Sequence, residues 1–188
     1  PKTFNSIKRF ISKKTKVKCY EIKDLNLKSI LNIKANFKQV GSDRLANAIS
    51  LMKPKKNFII LDFGTATTFD VLNSKGIYFG GIITPGIDLS LNVLKYKTAK
   101  LPLVKFKKTK NVVGFNTKEA IQSGFFWGYC SMIEGLIKKI EQEQKDVFKI
   151  ILTGGNANYF KGIHKQVVLI DEFFTSKALN YILNEYTE

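Results

Sequence analysis

The run from Asn57 to Gly86, "NFIILDFGTATTFDVLNSKGIYFGGIITPG", constrains the fold more than any other part of the chain. Its apolar residues come in continuous or alternating stretches of strand length, broken at Gly64-Thr65 and at a Ser74-Lys75-Gly76 turn. That pattern predicts three consecutive strands joined by tight turns, the first apolar enough to be buried. The same run also carries Asp62, Thr65, Thr67, Thr68 and Asp70. Carboxylates and hydroxyls in so apolar a segment cost free energy unless something satisfies them, which points to a bound ion or ligand.

Elsewhere the period is helical or mixed. Phe4, Ile7, Phe10 and Ile11 share one face of a helix over residues 4–14. The stretch Lys16 to Ile22 alternates like a strand, and residues 24–32 read as a weak helix or loop. A helix from Asp43 to about Met52 stops at "KPKKN". After the meander come a helix over 86–95 and a loop from Lys97 to Asn116. Asn116 or Thr117 then caps a long helix with Glu119 near its start and lysines towards its end. The strand "FKIILTGG", a short helix "NANYFKGI", the strand "QVVLI" and a closing helix "FTSKALNYILNEY" complete the chain. From Asn57 onward the order β-β-β-α-α-β-α-β-α predicts a mixed sheet with helices on its faces.

Composition narrows the classes. At 188 residues and 44% hydrophobic, the chain suits one compact domain, or one domain and part of a second. No apolar run reaches the roughly 18–20 residues of a membrane span, and no signal peptide is visible. Cys19 and Cys130 have no metal-ligand spacing and read as small core fillers of a reduced, cytosolic protein. The formal charge of +16 invites a nucleic-acid or transcription-accessory reading, but 29 of the 31 basic residues are lysines scattered along the chain. Base readout and phosphate forks favour arginine, which argues against nucleic acid. The scarcity also singles out Arg44 for a planar, bidentate task.

Three places can carry chemistry. The turn at Gly64, Thr65, Ala66 and Thr67 offers backbone N–H groups and hydroxyls to phosphate, and Asp62 can hold a cation. A Thr-rich hairpin with its aspartates in turns is the plainer alternative. Gly154 and Gly155 lie between a buried strand and a short helix, where backbone can approach a flat ligand, or simply end the strand. In "VGSDRLANA", Asp43 can accept a proton from a hydroxyl substrate while Arg44 pins an anionic group on it. The alternative there is a helix-capping Asp43 and a surface Arg44. His164 reads as surface structure, and Phe125 and Tyr129, four apart, as core or a subunit contact.

In order, "GSDR", "DFGTATTFD", "GGIITPG", "TAKLP", "NTKEAIQSG" and "LTGG" closely resemble the motifs of the type III pantothenate kinases. The match runs from about Gly41 to the C-terminus. The resemblance implies a ribonuclease-H-like, actin-like ATPase fold and ATP-dependent phosphorylation of pantothenate, the first step of coenzyme A biosynthesis. It implies pantothenate binding by Gly41, Ser42, Asp43 and Arg44, with Asp43 as general base and Arg44 on the carboxylate. It further implies a monovalent cation, potassium or ammonium, at Asp62, and ATP phosphate at Thr65, with Gly64, Ala66 and Thr67 shaping that turn. Adenosine would lie against Gly154 and Gly155, and Thr117 would touch substrate. Magnesium and a homodimer whose pocket draws on both subunits are likewise implied. The runner-up is a transcription-accessory or nucleic-acid-binding protein sharing the fold; a third possibility, another small-molecule kinase of that fold, is opposed by the paired Gly-x-Asp-Arg and Asn-Thr motifs. The family's opening Asp-x-Gly-Asn-Thr segment is not among these residues. The expectation is therefore a truncated first half-domain over 1–56, a complete second one over 57–188, and weak or no turnover by this chain.

Overall fold

The computed structural model describes residues 2–15, 17–25, 31–52 and 55–186. Its centre is a six-stranded mixed sheet in the order β1-β4-β3-β2-β5-β6. The meander is β2 (Phe58–Phe63), β3 (Ala66–Leu72) and β4 (Ile77–Pro85), with antiparallel pairing throughout. β5 (Lys149–Thr153) lies parallel to β2, and β6 (Val167–Ile170) parallel to β5. The two-residue β1 (Asn32–Ile33) runs parallel to the outer edge of β4. β2 is therefore flanked on both sides, which explains its nearly continuous apolar sequence.

Alternation along β2 divides the core into two layers. Ile59, Leu61 and Phe63 enter the layer shared with α3 (Ile87–Lys97) and α4 (Thr117–Gln144). Phe58 and Ile60 enter the layer shared with α2 (Ser42–Ser50) and α5 (Phe174–Tyr186). The first layer holds a run of aromatic rings. Phe63 and Phe160 stack with centroids 4.7 Å apart, and Phe126 lies 6.2 Å from Phe160. The second is built from Leu45, Ala48 and Ile49 of α2 against Ala178 and Ile182 of α5.

Local chemistry sets the helix ends. The Asn116 side chain accepts a hydrogen bond from the Glu119 N–H at 3.0 Å, and Glu119 Oε2 accepts one from the Phe115 N–H, so two otherwise orphaned donors are satisfied. α4 ends at Lys145 in the left-handed region, and Lys138 and Lys139 lie towards that end as expected, although the last turn itself holds no basic residue. The departures are local. The alternation at Lys16 to Ile22 does not yield a strand among its described residues; a single 3₁₀ turn forms at Ile22–Asp24. Alternation suits strand geometry, but a strand also needs a neighbour to complete its ladder. Lys16, residues 26–30 and residues 53–54, where part of these expectations fell, lie outside the described residues. The short helix expected at "NANYFKGI" forms as a 3₁₀ helix at Ala157–Phe160. α1 (Lys2–Lys14) forms with Phe4, Ile7 and Phe10 exposed. Cys19 and Cys130 are free thiols, and both are only half-buried.

Candidate functional site

The C-terminal ends of the parallel strands β2 and β5 lie side by side, with Asp62 registered against Thr153 on one flank and Thr68 on the other. Alternation turns Asp62 away from the aromatic layer and towards the α2/α5 face of the sheet. At this end the chain turns through Gly64 and Thr65, and the Gly86 N–H donates to the Thr65 carbonyl at 3.0 Å, tying that turn to the end of β4. Gly154 follows β5 with φ of +87°; a Cβ there would stand 2.6 Å from Asp62 Oδ1 and 2.7 Å from the Phe63 carbonyl oxygen. Only glycine fits, because these two oxygens already close on the place a side chain would take. Asn156 Nδ2 reaches Asp88 Oδ2 at 3.2 Å, linking the Gly154-Gly155 loop to the start of α3. Gly155 is exposed and faces open space.

Asp43 and Arg44 approach from α2. Gly41, not Asp43, holds the N-cap position, and Ser42 and Asp43 lie in the first turn. Asp43 is exposed. Arg44 is not a free surface charge: its Nε donates to Asp70 Oδ1 at 2.7 Å. Asp70, on β3, is fully buried, and the Tyr78 hydroxyl donates to the same oxygen at 2.6 Å. Asp70 therefore lies inside a strand and not in a turn, and its partner Tyr78 is an ordinary strand residue in the sequence. Neither has a local signal, because their meeting with Arg44 depends on strand register and helix docking. Asn47, one turn beyond Asp43, is also buried without a hydrogen-bond partner for its carboxamide among the described residues.

The charges are coupled. Burial pushes the Asp62 carboxyl above its ordinary range, and Asp43 and Asp70 push it the same way, while a hydrogen bond from Thr175 of α5 opposes them. Burial likewise raises Asp70, against the pull of Arg44 and of its hydrogen bonds from Tyr78 and Arg44; Asp43 adds to the rise. Burial and the neighbouring Asp70 push the Tyr78 phenol far upward, so it stays a donor. Asp43, Arg44, Asp62 and Asp70 thus form one electrostatic group on the α2/α5 face.

Not every sequence-derived candidate joins it. Thr65 is exposed at the turn, and Ala66 begins β3 beside it. Thr67 is fully buried, with its hydroxyl unpartnered among the described residues, so it shapes the strand end and does not face solvent. Thr117 opens α4, whose buried residues lie in the other layer, and no hydrogen bond or ion pair joins it to Asp43 or Arg44 among the described residues. Two further concavities flank that helix. Lys107, Lys108, Lys110, Gly114 and Glu119 line one of about 360 Å³. Leu94, Gly124, Phe125, Gly128, Tyr129 and Met132 line an apolar one of about 400 Å³. Among the described residues, no group of three His, Cys, Asp or Glu side chains could hold a metal ion, and no helix is long and apolar enough to cross a membrane.

Comparison with known proteins agrees with this architecture. A crystal structure from Campylobacter jejuni, described as a Baf family transcriptional activator, superposes with a TM-score of 0.61 over 87% of this chain and 75% of that one. At 22% identity that likeness speaks for a shared fold alone. A type III pantothenate kinase from Pelagibacter ubique is 51% identical over 95% of this chain and 72% of its own length. Those of a Sulfurihydrogenibium species and Paramagnetospirillum magneticum are each 45% identical, over 80% and 75% of this chain. The chain spans 60% and 55% of those two relatives. The profile of the type III pantothenate kinase family matches residues 1–139, and the chain belongs to that family.

Proposed function

We propose that the protein phosphorylates pantothenate at the expense of ATP, the first step of coenzyme A biosynthesis, in the cytoplasm. The observation that carries this reading is the convergence of Asp43, Arg44 and Asp62 on one face at the β2–β5 edge, beside the Gly64-Thr65 turn and the Gly154-Gly155 loop. Asp43, exposed and with no ion pair to another described residue, accepts the proton of the substrate hydroxyl. Arg44, anchored through Nε and with Nη2 buried, offers Nη1 to the pantothenate carboxylate. Gly41 and Ser42 form the backbone approach to that substrate. The N–H groups and hydroxyl at Gly64, Thr65 and Ala66 receive phosphate, and Gly154 and Gly155 lie against the adenosine. In-line transfer then depends on positioning and charge neutralisation.

Asp62 Oδ1 and the Phe63 carbonyl oxygen both close on Gly154 and together offer two ligands to a monovalent cation bound beside them. Potassium or ammonium there would neutralise Asp62 and phosphate charge. Magnesium would travel with the nucleotide, because the described residues provide no cluster for it. Thr117 lies on the far layer and reaches a pantothenate pocket only from a second copy. A homodimer formed through the apolar groove at Gly124, Phe125 and Gly128 supplies it. We assign residues 57–188 to the second ribonuclease-H-like half-domain and 1–56, with the Asp43–Arg44 helix, to the remainder of the first.

Incubation with radiolabelled ATP, magnesium, potassium and pantothenate tests the reading. Label should appear in phosphopantothenate, and Asp43→Asn should lower the rate by about two to four orders of magnitude. Absence of both label transfer and pantothenate binding contradicts the proposal.

A further inference from the structure

We propose that Asp70, Tyr78 and Gly81 form a seat that fixes the plane of the Arg44 guanidinium and so sets the preference for an anionic substrate. The inference rests on Arg44 meeting the pantothenate carboxylate, and it assigns the orientation of that contact to three residues that never touch substrate.

Three separate observations support the seat. Asp70 Oδ1 accepts two hydrogen bonds at once, from Arg44 Nε at 2.7 Å and from the Tyr78 hydroxyl at 2.6 Å. Two short bonds on one fully buried oxygen hold it, and with it the inner edge of the guanidinium. Register then places Gly81 of β4 directly beside Asp70 of β3. A Cβ at Gly81 would run into the Phe69 carbonyl and stand 2.6 Å from Arg44 Nη2, so only glycine lets the planar group lie against the strand. Finally, both inner nitrogens of the guanidinium are enclosed: Nε is engaged by Asp70, and Nη2 is buried beside Gly81 with no hydrogen-bond partner among the described residues.

Energetics favours a positioning role over a purely stabilising one. A pair with 12% and 0% side-chain exposure loses most of its hydration, and apolar residues of similar volume commonly serve stability as well or better. What the ion pair supplies is direction. A flexible arginine near an anion must be ordered on binding, and a seated one is already ordered. Tyr78 strengthens the seat because burial keeps its phenol protonated and donating.

Calorimetric titration with pantothenate and with pantothenol, the neutral alcohol that lacks the carboxylate, reads this directly. The ratio of the two affinities within one variant does not depend on how much of that variant is folded. The unmodified protein should prefer the acid. Asp70→Asn should cut that preference about tenfold, and Tyr78→Phe, which keeps the ion pair, about threefold, with little change for the alcohol. Full preference retained in both variants overturns the seat while leaving the Arg44 reading intact. If Asp70→Asn does not fold, full preference in Tyr78→Phe alone overturns it. No preference in the unmodified protein, or no binding of either compound, overturns the Arg44 reading and the seat together.

Discussion

The two faces of the sheet are built on opposite principles. On the α3/α4 face the strand side chains meet rings: Phe63, Phe126 and Phe160 stack in a dry layer with no charged group among its buried members. On the α2/α5 face the same strands carry Asp62, Asp70 and Tyr78, and α2 brings Asp43 and Arg44 to them. The first face contributes stability through apolar area, and the second accepts electrostatic cost to hold a site. The lesson is that alternation along one strand can serve both ends: β2 anchors the core with Ile59 and Leu61 and presents Asp62 from the other side.

Substitutions can break that division of labour. The largest effect expected is on rate: Asp43→Asn, at an exposed position, should lower label transfer by about two to four orders of magnitude and leave thermal unfolding almost unchanged. A comparable fall in melting temperature would mean that Asp43 supports the fold instead. Next comes Phe160→Ala on the dry face, which should cost about 3–5 kcal/mol in denaturant unfolding without altering the acid-over-alcohol preference of the folded protein. Arg44→Ala should cost a similar amount, about 3–5 kcal/mol, because it strands a buried Asp70, yet it should also abolish that preference. The pair of variants separates a stability residue from a site residue at matched destabilisation.

A subtler contrast lies in pH. The Asp62 carboxyl is raised above 3.8, first by burial and then by Asp43 and Asp70. A raised carboxyl keeps its proton in the folded chain after the unfolded chain has released it. Its favourable contribution is therefore complete below about pH 3.8 and is lost as pH rises through the folded value. Asp62→Asn should accordingly be more stable than the parent at neutral pH, with the difference vanishing in acid. Adding potassium at neutral pH should raise the melting temperature of the parent and not of Asp62→Asn, since the cation binds only where the carboxylate is present. The smallest effect concerns the other face, where Asn116→Ala removes the α4 cap at a cost of about 1 kcal/mol in unfolding free energy.

Sequence alone revealed most of the sheet. The meander was legible because its apolar period and its Ser74–Gly76 turn agree locally with what the sheet requires globally. The closing helix, Phe174–Tyr186, was legible for the same reason. β1 was not, since a two-residue strand has no period and exists through its pairing with Ile77 and Tyr78. The alternation near Lys16 misled because, among the described residues, no strand pairs with it to complete a ladder. In the site, Asp43, Arg44 and Asp62 stood out as polar residues in ordered motifs. The seat beneath Arg44 did not, because Asp70 is 26 residues away and meets the arginine only once β3, β4 and α2 have docked.

Backbone amide NMR during titration tests the central claim most directly, because it reports on both faces at once. Magnesium-ATP should shift the resonances of Gly64, Thr65, Ala66, Gly154 and Gly155, and pantothenate should then shift those of Ser42, Asp43 and Arg44. Shifts confined to the lysine-lined loop at Lys107–Lys110, with the β2–β5 edge silent, would contradict the placement of the site.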